Sequence, residues 1–214
     1  MFNEFKDIQV PNNLTISQDQ LKNAKMYTNR WEWVKDLPKN INVMEIGVAS
    51  GDYSNHIINL LSPKLLYLID LYDQCDPMLA RPGQNKRYEI GENLNFIKER
   101  FKKHPEVIIV QEKSQLYLPK LVDLNNIKFD MIYIDASHIF EDVCLDIQYC
   151  TQLLNPNGIL ALNDYMFADE NGEPYGVVQA VNRFLYANKD WEVIGFALDE
   201  RMYADLYIRR VNQN

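Results

Sequence analysis

Short apolar runs alternate, along most of the chain, with longer segments in which apolar residues recur every three or four positions. The apolar runs lie at residues 42–48, 65–71, 107–111, 129–134 and 158–162. The segments with helical spacing lie at about 52–62, 92–104, 115–124 and 139–154. Strands that alternate with helices of this length form βαβ units, in which helices cover both faces of a parallel sheet. The pattern therefore predicts an α/β fold.

The start of the chain lacks this alternation. The sequence between Leu14 and Leu37 predicts one or two helices, with Ser17 as an N-cap and Pro38 at the end of the run. We therefore predict an N-terminal helical segment over residues 1–40 that packs on the core of the protein.

The end of the chain predicts a helix near 173–188 and then two strand-like runs at 191–198 and 202–210. Residues 199–201 are charged and separate the two runs, which favours an antiparallel pair that closes the sheet. No linker or repeat divides the chain. Residues 41–214 are therefore predicted to form the main domain, and the whole chain to be a single domain.

Charge and composition narrow the classes of partner. The chain has 214 residues and a formal net charge of −8, which repels the phosphate backbone of nucleic acids. No apolar stretch reaches the ~20 residues that span a bilayer. The sequence MFNEFKDIQV lacks the apolar core of a secretory signal, and the three cysteines form no CxxC pair. We therefore expect a cytoplasmic protein that binds neither nucleic acid nor membrane.

Glycine, acidic or amide residues follow each of the five predicted strands. In chain order, they are the turn from Gly47 to Gly51, Asp70, the pair Ser114-Gln115, Asp135 with His138 beyond it, and the pair Asn163-Asp164. In an open parallel sheet, ligands bind outside the carboxyl ends of the strands. Five such coincidences at one edge predict a binding site there.

The glycine turn and Asp70 indicate the kind of ligand. Gly47 and Gly51 permit a tight turn between a strand and a helix, and Asp70 follows Gly51 by 19 positions, at the end of the second strand. An acid in this place suits the two hydroxyls of a ribose. The turn reads GxxxG and not GxGxxG, which favours a nucleoside without the pyrophosphate of a dinucleotide. In the alternative interpretation, the glycines only make a sharp turn and Asp70 caps the next segment of the chain.

Four stretches of the sequence together resemble a known family. They are EIGVASGDYS at 45–54, LIDLY at 68–72, IDASHIFEDVCLDI at 134–147 and LLNPNGILALNDY at 153–165. This ordered set resembles the class I S-adenosylmethionine-dependent methyltransferases, and most of all the small metal-dependent O-methyltransferases of the catechol and macrolide-sugar types. The resemblance covers roughly residues 40–210. It implies a Rossmann-like sheet of seven mostly parallel strands, with helices on both faces and an antiparallel C-terminal strand.

The resemblance also implies which residues bind the cofactor, S-adenosylmethionine. Glu45, Gly47 and Gly51 would shape the pocket for its methionine end, with Asp135 beside it. Asp70 would hold the ribose, and the pair Ser114-Gln115 would lie next to the adenine.

In the metal-dependent members of this family, an aspartate after the fourth strand and an acid/amide pair after the fifth bind one Mg²⁺. Asp135, Asn163 and Asp164 occupy those positions, and Mg²⁺ prefers oxygen ligands of this kind. His138 lies where relatives place a general base, and a neutral imidazole suits that task near pH 7. Two structural alternatives stay open: Asn163-Asp164 could form only a turn, and His138 could cap the helix that begins near Glu141.

The favoured function is methyl transfer to a hydroxyl of a small molecule such as a sugar or another polyol, with Mg²⁺ and S-adenosylmethionine as cofactors. The alternatives are a metal-independent N- or carboxyl-O-methyltransferase, a nicotinamide-dependent oxidoreductase and a non-catalytic protein that binds a nucleoside. The segment 73–91 matches no motif, and we interpret it as a loop or lid on the substrate side. Assembly into a homo-oligomer stays open.

Overall fold

A computed structural model of the protein describes residues 5–11, 14–72, 92–168, 172, 174–198 and 204–211. The interpretation of 73–91 as a lid falls outside these residues. The α-helices are α1 (Gln18–Leu21), α2 (Arg30–Trp33), α3 (Asp52–Leu61), α4 (Glu92–Arg100), α5 (Ser114–Leu124), α6 (Phe140–Leu153) and α7 (Gly176–Ala187). The strands are β1 (Lys25–Tyr27), β2 (Asn42–Ile46), β3 (Leu65–Asp70), β4 (Val107–Gln111), β5 (Phe129–Ile134), β6 (Leu154–Leu162), β7 (Trp191–Leu198) and β8 (Ala204–Arg210). Short 3₁₀ helices lie at Phe5–Asp7 and Val34–Asp36.

The eight described strands form one sheet in the order β1-β7-β8-β6-β5-β2-β3-β4. Strand β8 runs antiparallel to both of its neighbours, β6 and β7, whereas every other pair is parallel. The predicted α/β fold and the antiparallel pair at the C-terminal end are therefore confirmed.

The predicted count of seven strands is wrong by one, because Lys25–Tyr27 forms a strand where the sequence predicted helix. This strand, β1, pairs in parallel with β7 at the edge of the sheet, with Lys25 opposite Gly195 and Tyr27 opposite Ala197. Only the short helices α1 and α2 form on either side of it. Pairing with a strand some 170 residues later in the chain overrides the local helical pattern.

Helices cover both faces of the sheet, as predicted. Successive side chains of a strand point to opposite faces, so Met44 and Ile46 of β2 pack with α5, α6 and α7. Val43 of the same strand, with Met131 and Tyr133 of β5, packs instead with α3 and α4. We call this second surface the α3 face.

The N-terminal segment is tied to the rest of the protein by buried side chains. The Gln20 amide donates to the carbonyl oxygens of Leu185 (2.9 Å) and Trp191 (3.1 Å), at the end of α7 and the start of β7. The Asn182 amide of α7 donates to the carbonyl of Leu14 at 3.0 Å. Because buried polar groups are costly to leave unpaired, these contacts fix the path of the segment.

No helix within the described ranges is long and apolar enough to cross a membrane. Cys144 and Cys150 are buried in α6 and form no disulfide. Cys75 lies outside the described residues.

Candidate active site

The turn after β2 packs directly against the chain that leaves β5. The backbone N–H of Asp135 donates to the Ile46 carbonyl at 2.7 Å. Gly47 has a φ of +85°, and a Cβ atom at this position would lie 1.9 Å from the Asp135 carbonyl oxygen. Only glycine combines this backbone conformation with so close an approach. The turn that ends at Gly51, before α3, is thereby brought beside Asp135.

The Asp70 carboxylate organises this turn. Its Oδ2 accepts hydrogen bonds from the backbone N–H groups of Val48 (2.7 Å) and Ala49 (3.1 Å), and its Oδ1 accepts from Tyr72 N–H (2.9 Å). The bond from Tyr72 N–H is the contact that the capping alternative predicts, whereas the other two tie Asp70 to the glycine turn. A carboxylate can accept about four hydrogen bonds, so acceptor capacity remains for a ribose hydroxyl. The ribose role stays a prediction.

Glu45 supports the turn from inside the protein. The residue is buried, on the α3 face of β2, and its Oε2 accepts a hydrogen bond from the Ser54 hydroxyl of α3 at 2.5 Å. Burial raises the pKa of the Glu45 carboxyl to about 8, against the effect of the Ser54 hydrogen bond. The side chain is therefore largely neutral near pH 7 and joins strand to helix beneath the predicted cofactor pocket.

The predicted adenine residues lie at the start of α5 and contact a buried acid of α6. The Gln115 amide donates to both carboxylate oxygens of Asp146 at 3.1 Å, and the Ser114 side chain also bonds to this carboxylate. Asp146 is fully buried, and burial raises the pKa of its carboxyl to about 7. Asp146 thus fixes the side chain of Gln115, whose contact with adenine stays a prediction.

Three ionisable side chains form a group at the carboxyl ends of β5 and β6. Asp135, His138 and Asp164 offer donor atoms that all lie within 4.8 Å of one another. A cavity of about 10 Å³, room for roughly one water-sized sphere, is lined by Asp135, His138 and Asn163.

The loop after β5 and the start of α7 hold His138 in place. The backbone N–H of Gly176 donates to the His138 carbonyl at 2.9 Å, and a Cβ at Gly176 would lie 2.3 Å from the Phe140 nitrogen. The imidazole stacks on the ring of Tyr175, with the two centroids 4.2 Å apart. Its Nε2 atom is buried and lies 3.1 Å from Asp164 Oδ2, yet it makes no hydrogen bond to any described residue.

His138 does not cap α6, which was one alternative for this residue. The helix begins at Phe140, and the hydroxyl of Ser137 accepts a hydrogen bond from Ile139 N–H (3.2 Å) while donating to Asp142 (2.8 Å). Ser137 therefore makes the hydrogen bonds at the start of α6. The His138 imidazole lies instead in the group with Asp135 and Asp164.

Asn163 and Asp164 form the turn after β6, and both side chains are buried at the site. The Asn163 amide nitrogen donates to Asp135 Oδ1 at 2.7 Å. Asp164 has a φ of +54°, a left-handed conformation that aspartate tolerates better than most residues. Two carboxylates and an imidazole nitrogen without a hydrogen bond form a donor set that fits a divalent cation.

Three further residues of the site were missed by the sequence analysis. Arg30 Nη1 donates to the Tyr133 hydroxyl at 2.9 Å and to Asp135 Oδ2 at 3.3 Å, and the Tyr133 hydroxyl donates to Asp205 Oδ2 at 2.9 Å. Burial raises the pKa of Asp135 to about 6 and that of Asp205 to about 7, and in both cases the charge of Arg30 acts in the opposite direction.

Two of the three missed residues leave a trace in the sequence. Asp205 interrupts the apolar part of its strand, residues 204–208. Tyr133 precedes Asp135 by two positions, so that both point to one face. Arg30 lies in a short helix and contacts a residue 105 positions away. No local pattern identifies it.

A comparison with models of protein families identifies the family of this chain. A family model described as "Methyltransferase domain" matches residues 44–165, which is more than half of the chain. The chain belongs to the S-adenosylmethionine-dependent methyltransferases. No curated protein matches it in sequence.

Solved structures of other methyltransferases share the fold. The O-methyltransferase TomG from Streptomyces achromogenes, involved in tomaymycin synthesis and solved with S-adenosylmethionine, is 17% identical, with a TM-score of 0.60 over 94% of this chain and 83% of that one. An rRNA methylase from Streptococcus thermophilus is 9% identical, with a TM-score of 0.57 over 85% of this chain and 94% of that one. A putative rRNA methylase from Clostridium thermocellum is 11% identical, with a TM-score of 0.59 over 86% of this chain and 94% of that one. The TM-scores show that this chain shares the Rossmann-like fold of these proteins. At identities this low, the similarity is one of fold alone.

Replacing Asp70 with alanine should weaken S-adenosylmethionine binding and lower thermal stability together. A hydrogen bond to a charged group contributes about 1.5–3 kcal/mol, which corresponds to roughly tenfold to a hundredfold in affinity. The backbone N–H groups of Val48, Ala49 and Tyr72 would also lose their acceptor. Calorimetry with S-adenosylmethionine and with NAD, alongside a thermal melt, measures both effects. A lower melting temperature with unchanged affinity would leave Asp70 only its capping role, and tighter binding of NAD would contradict the predicted cofactor.

Replacing Asp146 with asparagine should change how stability depends on pH. Because the folded pKa of Asp146 (about 7) exceeds its usual value of 3.8, its contribution to stability is fully present below pH ~4 and is lost as the pH rises to about 7. Between pH 5 and pH 8 the loss amounts to about 2–3 kcal/mol, at ~1.4 kcal/mol per pKa unit. Asp146→Asn should therefore lose less stability than the wild type over this interval.

Urea unfolding of both proteins at pH 5 and pH 8 measures this difference. Asp123→Asn, at an exposed position of α5, controls for the loss of one negative charge. Equal changes in unfolding free energy for the wild type and Asp146→Asn would show that Asp146 is not the group responsible.

Proposed function

We propose that this methyltransferase transfers the methyl group of S-adenosylmethionine to a hydroxyl of a small molecule, with a divalent cation at Asp135 and Asp164 and with His138 as the general base. The observation that carries the proposal is the buried His138 Nε2, which faces Asp164 at 3.1 Å without a hydrogen bond. A buried nitrogen that makes no hydrogen bond is costly, and a proton or a cation between His138 Nε2 and Asp164 Oδ2 would offset that cost.

The cofactor pocket is proposed at the glycine turn, at the carboxyl ends of β2 and β3. The sulfonium of S-adenosylmethionine is already activated, so the protein's task is to align the acceptor and to remove its proton. The turn from Gly47 to Gly51 and the Asp70 carboxylate provide backbone and side-chain contacts for the nucleoside. Asp135 lies directly beside this turn.

The cation site is proposed between the turns after β5 and β6. Asp135 and Asp164 would supply carboxylate oxygens, and Asn163 could join through its amide oxygen. A divalent cation held there would lower the pKa of a bound hydroxyl. In the structure the Asn163 amide nitrogen faces Asp135, so Asn163 serves first to orient that carboxylate.

His138 is proposed to take the proton from the acceptor hydroxyl at Nε2. Stacking on Tyr175 and the Gly176 contact hold the ring so that Nε2 faces the group with Asp135 and Asp164. Once protonated, the imidazolium would lie 3.1 Å from the Asp164 carboxylate, and opposite charges at this distance attract. The ring is therefore placed both to accept the proton and to be stabilised after accepting it.

The acceptor is proposed to be a small molecule that carries hydroxyls, such as a sugar or another polyol. The net charge of −8 opposes a nucleic-acid substrate. Metal-independent N- or carboxyl-O-methyl transfer is the second candidate, because the guanidinium of Arg30 already places a positive charge beside Asp135.

Chelation should abolish methyl transfer, and added Mg²⁺ or Mn²⁺ should restore it. A panel of sugars, polyols and catechols, assayed by release of S-adenosylhomocysteine, first identifies the acceptor. Asp164→Asn should then match the chelated enzyme, because it removes the charge while asparagine still tolerates the left-handed backbone at this position. Asp123→Asn serves as the control for charge. Full turnover in excess chelator would support the metal-independent candidate.

Replacing His138 with glutamine should lower turnover by about 10²–10⁴-fold, the usual contribution of a positioned base. Affinity for S-adenosylmethionine and for Mn²⁺, measured by calorimetry, should stay close to that of the wild type. A parallel loss of Mn²⁺ affinity would instead make His138 a ligand of the cation. Turnover that survives the substitution would contradict both roles.

A further inference from the structure

The N-terminal segment reaches the active site through α2. Asn29 caps this helix, its side-chain oxygen accepting from the N–H groups of Trp31 and Glu32 at 3.0 Å. The buried Trp33 donates from Nε1 to the Tyr53 hydroxyl of α3 at 3.0 Å. The start of α2, and with it Arg30, is thereby fixed over the α3 face of the sheet.

Arg30 and Asn163 together hold the Asp135 carboxylate. Asn163 Nδ2 donates to Oδ1 at 2.7 Å, and Arg30 Nη1 donates to Oδ2 at 3.3 Å. One donor on each oxygen fixes the rotation of the carboxyl plane, while each oxygen keeps further acceptor capacity. Asp135 is therefore presented to the site in one orientation.

The position of Arg30 is itself fixed by partners on the same α3 face of the sheet. Its Nη1 also donates to the Tyr133 hydroxyl at 2.9 Å, and that hydroxyl donates to the buried Asp205 of β8 at 2.9 Å. The guanidinium lies 6.0 Å from the centroid of the Tyr53 ring, and only 14% of the side chain's surface is exposed. A guanidinium that is buried to this extent and held by at least two partners is pre-organised.

We propose that Arg30 is a positioning residue of the active site, through which the N-terminal segment holds the Asp135 carboxylate in the orientation that methyl transfer requires. The proposal rests on the function proposed above, in which Asp135 contacts the cation. It assigns a functional role to a segment that lies before the residues matched by the methyltransferase family.

The test compares Arg30→Met, Arg30→Lys, Asp135→Asn and the double variant Arg30→Met/Asp135→Asn. Lys25→Met is the matched control, since Lys25 is an exposed cation of the same segment that pairs with Asp36.

Arg30→Met should lower kcat by about 10–100-fold, the usual effect of losing a partner that orients a ligand. It should leave the KM for S-adenosylmethionine unchanged, and Arg30→Lys should recover part of the loss because it keeps the charge. The double variant should be no slower than Asp135→Asn, because Arg30 acts through Asp135.

Mn²⁺ affinity provides a readout that does not depend on turnover. Arg30→Met should bind Mn²⁺ more weakly than the wild type, whereas Lys25→Met should bind it equally well. Unchanged or tighter binding in Arg30→Met would overturn the proposal, as would losses in kcat that simply add in the double variant.

Failure of the proposed function gives a different result. A wild type that transfers methyl groups in excess chelator and binds no Mn²⁺ would refute the cation site, and the kcat cycle would still decide the role of Arg30. If no acceptor is found, the same four variants are compared by urea unfolding. Additive effects on the unfolding free energy would show that Arg30 and Asp135 are uncoupled and would overturn the proposal.

Discussion

One guanidinium, that of Arg30, lies between the half-buried carboxylate of Asp135 and the buried carboxylate of Asp205 at the candidate active site. Arg30 is bonded to Asp135 directly and is linked to Asp205 through the Tyr133 hydroxyl. Moving a charged carboxylate from water into the protein interior costs much free energy when no hydrogen-bond donor or positive charge lies beside it. The Arg30 charge lowers that cost for both acids. The edge of the sheet can therefore concentrate negative charge where a cation and a hydroxyl are proposed to bind.

Neighbouring carboxylates show how differently acids are used at one sheet edge. Within the described part of the chain, Asp70 accepts from backbone N–H groups, two in the turn after β2 and one, that of Tyr72, after β3. Asp146 and Glu45 are buried with side-chain donors, and burial raises the pKa of both. Asp164 lies next to an imidazole nitrogen that lacks a hydrogen bond. Residue type alone does not separate these roles, because each depends on the donors that the fold brings to the acid.

The parts of the fold and site that were predicted from sequence are those encoded locally. Strands such as Phe129–Ile134 are continuous apolar runs, and the residues just beyond them must lie at the carboxyl edge of a parallel sheet. This reasoning brought Asp135, His138 and Asp164 together correctly. The strand Lys25–Tyr27 and the contact of Arg30 escaped it, because both depend on partners more than 100 residues away. The role of Gln115 was interpreted from a ligand alone, whereas the structure also gives it a partner within the protein, Asp146. For Asp70, a capping role was the open alternative, and the structure supplies that contact with Tyr72 N–H.

The pairing of β1 with β7 has a consequence for how the protein folds. The second and third strands pair with neighbours in sequence, but β1 must wait for Trp191–Leu198, some 170 residues later in the chain. Contacts between such distant residues form late, because the entropy cost of closing a long loop comes before the contacts that stabilise it. On the ribosome the central strands can assemble first, whereas α2 cannot pack until β7 and β8 have been added to the sheet. A chain synthesised only as far as β6 would thus contain the glycine turn without Arg30 in place, and the site would be completed only after β7 and β8 join the sheet.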